Sequence, residues 1–282
     1  DRSVSRGLGD VYKRQLKDIT LGQYFPGNSI AHKLDPRTKI LLVTLYIIAL
    51  FSAKGWMGYA VMAVTLAACV KVSHVGLRAL VRGLKPLVFI IAFTGILNMF
   101  FTPDTHYLWE WGILRVSVKG IENALFMVIR IMLLVMGTFL MTYTTSPIRL
   151  TDGLESLLNP LKKIRVPVHE LAMMMAIALR FIPTLIEETD KIMSAQKARG
   201  ADFDSGNIFQ KAKALVPILV PLFISAFRRA DELATAMECR CYHGGEGRTK
   251  LHVLKYQRRD YVALAGGVVI LALVVVLRRL GA

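Results

Sequence analysis

The stretch ALFMVIRIMLLVMGTFLMTY, residues 124–143, carries one charge, Arg130, in twenty positions. A helix rising about 1.5 Å per residue covers about 30 Å over that length, the thickness of a bilayer's hydrocarbon core. Four shorter apolar runs accompany it, at residues 40–53, 56–70, 87–101 and 261–277. Each is short for an upright crossing, so it must borrow flanking residues such as Thr38 or Leu84, or thin the bilayer locally. Lys54-Gly55 separates the first two runs and predicts a tight helical hairpin. The expected fold is an all-α membrane protein with about five transmembrane helices.

Composition agrees. Of 282 residues 54% are hydrophobic, yet the formal net charge is +16. An apolar chain that is also basic fits spans joined by cationic loops lying against anionic lipid headgroups. Nucleic acid, the other usual partner of a basic chain, is set aside: the cations are scattered between apolar runs and form no patch interleaved with aromatics. Cys69, Cys239 and Cys241 make no disulfide framework and fit reduced thiols. Residues 1–31 read as a disordered leader. Residues 1–15 show no periodicity and no initiating Met, and nothing is built on them.

Orientation follows from Lys and Arg. The N-terminal segment offers Lys33, Arg37 and Lys39, and residues 71–85 offer Lys71, Arg78, Arg82 and Lys85 with no acid. The connection at residues 102–119 balances Arg115 and Lys119 against Asp104 and Glu110 and carries Tyr107, Trp109 and Trp111, which suits an outer-interface belt. A short hairpin is expected over residues 109–118. The N-terminus and residues 149–260 are then cytoplasmic in a multi-pass protein of the cell membrane. Arg278 and Arg279 disagree, because a simple last span puts them outside. Arg130 is placed near the outer end of its helix, where it can snorkel.

Residues 149–259 form the most informative module, between spans at 32–148 and a last span at 260–282. Residues 166–199 predict one helix, with Leu171, Met174, Ala178, Ile182 and Leu185 at steps of three or four and Gly200 as its stop. Residues 208–240 predict a second. Pro183, Pro217 and Pro221 are expected to bend the pair. Their apolar middles, 171–186 and 214–227, are marginal as spans, so the helices are expected near the cytoplasmic face; two further spans are the alternative. Arg180 needs a partner if buried, and Glu187 is the candidate.

The two helix ends repeat each other. One reads Ala198-Arg199-Gly200, the other Cys239-Arg240-Cys241 followed by Tyr242-His243-Gly244-Gly245 and Arg248-Thr249. Each places an arginine in the last turn, between small residues and before a break. The helix dipole favours a cation there, and a guanidinium fork on a slender tip suits carboxylates in a partner's groove.

These tips, with His32-Lys33-Leu34-Asp35-Pro36-Arg37-Thr38-Lys39 before the first span, resemble the T component of energy-coupling factor transporters, the family that includes cobalt- and vitamin-import T subunits. That family is marked by two Ala-Arg-Gly motifs on two coupling helices. Residues 198–200 match the first outright. The second site keeps Arg240 but replaces both flanks with cysteine. The likeness runs from about His32 to Leu277. It implies a coupling subunit in which two cytoplasmic ATPase subunits take one tip each, at Ala198, Arg199, Gly200 and at Cys239, Arg240, Cys241. A separate substrate-binding membrane subunit sits on the apolar middles, with Met174 and Leu219 expected to face it. The chain would carry the ATP-driven motion of vitamin or metal-ion uptake and bind no substrate, cofactor or metal itself.

Other readings are weaker. Met173-Met174-Met175 suits either core filling or an adaptable contact surface. Cys239-x-Cys241 with His243 lacks a fourth metal ligand. No Gly-x-x-x-x-Gly-Lys-Ser/Thr cradles ATP, Gly244-Gly245-Glu246-Gly247-Arg248 lacks the lysine, and His169-Glu170 has no second histidine four residues on. An intramembrane enzyme, prenyltransferase- or protease-like, is the alternative, and it would need acidic or histidine clusters at membrane depth. A channel or carrier would need polar groups along several spans.

Overall fold

The computed structural model describes residues 24–102, 107–111, 114–201, 203, 207–244 and 253–280. They fall into two compact units, one comprising 22–153 with 254–282, the other 154–253. The leader's residues 1–23 and the stretch holding Gly245, Arg248 and Thr249 lie outside the described residues.

The first unit opens with α1, Pro36–Ser52. Asp35 caps it, its carboxylate accepting from the Arg37 amide at 2.9 Å, and Pro36 supplies a pre-set φ where no amide donor is needed. Gly55, at φ 68°, turns the chain into α2, Gly55–Ser73, as the Lys54-Gly55 break predicts. Next come α3, Leu77–Leu84, a 3₁₀ turn, and α4, Val88–Phe101. Strands β1, Tyr107–Trp111, and β2, Leu114–Ser117, pair antiparallel as the expected hairpin, Glu110 opposite Arg115. Ser117 then caps α5, Val118–Thr144, accepting from the Gly120 amide at 2.9 Å. Helix α6 is Pro147–Leu158, and the unit ends in α9, Arg258–Arg279. Apart from the hairpin, the regular elements among the described residues are helical.

Helices α1 and α9 run parallel. The Asp35 amide donates to Asp260 Oδ1 at 2.9 Å at their shared start, and a Cβ on Gly267 would stand 2.7 Å from Leu42 Cδ2 further along. The residue offset is 225 in both contacts. Arg278 and Arg279 therefore end up opposite the Asp35 end, and their disagreement with a simple charge rule persists in the structure. Leu50, Met62, Leu80 and Val274 are almost fully buried in this unit's core. Tyr46 fits its ring against Gly137 and donates its hydroxyl to the Leu133 carbonyl at 3.0 Å, which brings α1 close to α5. Lys39 caps the other end of α5, donating to Thr144 O at 2.8 Å and Thr145 Oγ1 at 3.1 Å.

Three expectations change. Residues 24–31 are not a loose leader: the Phe25 amide donates to Tyr143 O at 3.0 Å, and His32 bridges Ser29 and the Phe25 carbonyl. Arg130 does not snorkel. Its Nε donates to Tyr59 OH at 2.9 Å, and its guanidinium lies over the Phe51 and Tyr59 rings, so aromatic faces hold the charge. The helices long and apolar enough to cross a membrane also differ in identity. Among the described residues they are Gly55–Ser73, Leu77–Phe100, Val118–Thr144, Val168–Ala198 and Arg258–Arg279. The first run sits in α1, only 17 residues or about 25 Å long, while Val168–Ala198 qualifies because it continues through Pro183 for 31 residues. Large apolar side chains on the first unit's surface, such as Phe89 and Val262, face outward as lipid contact requires.

Asp260→Ala orphans the buried Asp35 amide and the part-exposed Gln257 amide, which its two oxygens accept. The expected loss is about 2–4 kcal/mol. Thermal unfolding in detergent should show a clear drop in Tm, and Asp260→Asn should recover only part of it, since its single oxygen can accept one of the two amides.

Candidate functional site

The second unit carries the predicted helix pair, α7, Val168–Ala198, and α8, Ile208–Glu238. Asn207 and Gln210 form a capping box that starts α8. Pro183, Pro217 and Pro221 lie inside the helices, so each deletes one N–H···O bond without ending its helix.

Both helices finish with one hydrogen-bond pattern. At the end of α7 the Gly200 amide donates to Lys197 O and the Ala201 amide to Gln196 O, both at 3.0 Å. After α8 the Cys241 amide donates to Glu238 O at 2.8 Å and the Tyr242 amide to Met237 O at 3.0 Å. These are Schellman closures, and in both an arginine is the last residue before the left-handed one. Gly200 has φ 85° and Cys241 φ 55°, so the cysteine occupies the glycine position of the second tip. A Cβ on Gly200 would meet nothing within 4 Å. Backbone conformation, not space, is what demands glycine there.

Arg199 and Arg240 are exposed, and among the described residues neither makes an ion pair. Ala198, Gly200, Cys239 and Cys241 are exposed beside them, with both thiols free. Among the described residues no cluster of three His, Cys, Asp or Glu could hold a metal. The expected apolar face is also exposed: Met174 is 55% and Leu219 52% accessible. Leu219, Val220, Phe223, Ile224 and Phe227 line a shallow apolar depression of about 320 Å³ on α8.

The predicted partner of Arg180 is not found. Arg180 and Glu187 are both exposed and, among the described residues, form no ion pair. The carboxylate that does pair is the neighbouring Glu188, turned about 100° round the helix. It accepts from the Ser225 hydroxyl and from Arg229 Nη2, the latter at 3.1 Å. Gln196 Nε2 donates to Pro217 O at 3.3 Å. Moving forward on α7 thus moves backward on α8, so the helices are antiparallel. Sequence reasoning missed Glu188, Ser225 and Arg229, which look like ordinary polar positions until the helices are paired.

Together these features define a multi-pass helical membrane protein with a helix pair that ends in two exposed, matched arginine tips. Residues 27–251 match the family model described as cobalt transport protein. The chain is 52% identical over 262 residues to the energy-coupling factor transporter transmembrane protein EcfT of Ruminiclostridium cellulolyticum, covering 93% of this chain and 98% of the relative. Identity is 56% over 249 residues to the EcfT of Clostridium kluyveri, covering 88% and 92%, and 46% over 263 residues to that of Bacillus subtilis, covering 93% and 99%. The chain belongs to the family of energy-coupling factor transporter transmembrane proteins. It is a non-catalytic transport subunit rather than an enzyme.

Cys241→Gly removes a left-handed non-glycine residue and should stabilise the second tip by about 1 kcal/mol, whereas Gly200→Val should loosen the first by at least as much. Hydrogen exchange at the amides of residues 200–201 and 241–242 reads both effects, slower exchange being expected in the first variant and faster in the second.

Proposed function

We propose that this chain is the coupling subunit of an energy-coupling factor importer, passing the ATP-driven motion of two cytoplasmic ATPase subunits to a substrate-binding membrane subunit that takes up a vitamin or metal ion. It sits in the cell membrane with its N-terminus cytoplasmic. Residues 149–259 act as the coupling module between the spans at 32–148 and 260–282. The observation that carries this reading is the matched pair of tips, each an exposed arginine on a Schellman-closed helix end.

Spacing supports two docking grooves rather than one. Gln196 touches Pro217, three residues before Arg199, while Arg240 lies 23 residues beyond Pro217 on α8. Because the helices are antiparallel these distances add, and the tips are about 39 Å apart along the pair. Each guanidinium would enter a carboxylate-lined groove on its own ATPase subunit, with Ala198 and Gly200, or Cys239 and Cys241, admitting the partner's backbone closely. The exposed apolar face around Met174 and Leu219 would hold the substrate-binding subunit, and thioether side chains there can repack against more than one such partner.

Arg199→Glu and Arg240→Glu should each reduce recovery of ATPase subunits in pull-downs from detergent extracts, and the double variant should recover fewer than one tenth. Undiminished recovery from the double variant would remove the docking role. Met174→Lys and Leu219→Lys should release the substrate-binding subunit and stop uptake while the ATPases still co-purify. Normal import by these two variants would show that the apolar face is not the coupling surface.

A further inference from the structure

The two helices of the second unit meet at a polar cluster that the docking reading leaves unused. Glu188 accepts from Ser225 and from Arg229, the latter at 3.1 Å. Its position along the chain is specific. Glu188 stands eleven residues before Arg199, and Arg229 stands eleven residues before Arg240. The cluster therefore lies about 17 Å from the Arg199 tip along α7 and, measured from Ser225, about 22 Å from the Arg240 tip along α8.

The prolines are placed consistently with this. Pro183 precedes Glu188, and Pro217 and Pro221 precede Ser225 and Arg229, so each proline lies on the far side of the cluster from the tip of its own helix. Residues 188–199 and 229–240 contain no proline and keep unbroken N–H···O ladders. Each helix is thus stiff between cluster and tip and interrupted beyond it.

Gln196 makes a second contact. Pro221 has no amide hydrogen, so the Pro217 carbonyl loses its helical donor, and Gln196 Nε2 supplies one from α7 at 3.3 Å. This bond is solvent-exposed and single, whereas the Glu188 cluster is only partly exposed and doubly bonded. The cluster is the stronger joint, and the glutamine bond is the one that opens first when the crossing angle changes.

We infer that Glu188, Ser225 and Arg229 form the pivot of a lever that couples the movements of the two arginine tips, with the Gln196–Pro217 bond as a releasable stop. These are positioning residues, and the inference rests on the coupling role proposed above. Rotation of about 10° at the pivot carries the tips about 3–4 Å, so motion at one ATPase subunit is passed to the other.

The test uses the full-length chain in lipid nanodiscs, with Cys69→Ala and Cys241→Gly, spin-labelled at Cys239 and at Ala198→Cys. Pulsed electron resonance then reads the tip-to-tip distance distribution without any partner present. Glu188→Arg or Arg229→Glu alone should at least double its width, Glu188→Gln should widen it less, and the double reversal Glu188→Arg/Arg229→Glu should restore a narrow distribution. In the assembled transporter with native cysteines, each single reversal should retain both ATPase subunits but lower uptake at least fivefold, with recovery in the double reversal. Unchanged width in the single reversals, or no restoration in the double, overturns the pivot. A widened distribution with normal uptake overturns its role in coupling. Failure of the docking reading registers separately, as undiminished ATPase recovery by the Arg199→Glu/Arg240→Glu variant.

Discussion

A helix end buried inside a membrane protein has no water to bind its leftover amides and carbonyls, so the protein itself must supply their partners. The first unit is organised around that constraint. Lys39, from the start of α1, reaches the last carbonyl of α5, and Asp260, from the start of α9, accepts the amide that precedes α1. Tyr46 finds the Leu133 carbonyl in mid-helix because Gly137 leaves room for its ring. Each contact joins helices distant in sequence, so satisfying the ends also fixes which helices are neighbours. Arg130 follows the same logic with a different chemistry, its charge held by aromatic faces and one phenol.

The helix pair of the second unit meets the constraint internally. A Schellman closure ties back the last carbonyls with the chain's own amides, which leaves the terminal side chain free for another molecule. An arginine that had to cap its own helix could not also present its fork to a partner. Glycine makes this easy at the first tip. At the second, Cys241 accepts the left-handed conformation, at some cost in strain, and places a thiol beside the guanidinium.

Much of this was legible in the sequence, and the exceptions have physical causes. Apolar runs located the helices, and the repeated arginine ends marked the tips, because both signals are local. The Lys54-Gly55 turn and the hairpin before α5 were readable for the same reason. Span identities were not, since apolar runs omit flanking residues that helices recruit. The polar crossing was invisible for a different reason. Glu188 and Arg229 are 41 residues apart, and pairing them requires knowing that α7 and α8 are antiparallel. Arg180 misled because an arginine amid apolar neighbours suggests burial, whereas its side chain faces outward.

The bond between the Asp35 amide and Asp260 spans 225 residues. A ribosome adding about 5–20 residues per second needs roughly 11–45 seconds to cover that distance. Throughout that interval the first membrane helix exists with its leading amide unanswered, and Arg37 lacks the Leu254 carbonyl and Tyr256 ring that later hold it. The oldest part of the membrane unit is thus completed by the newest. A copy interrupted before residue 254 never closes it, so its first helix, though capped by its own Asp35, stands without the contacts that hold that end in a finished chain.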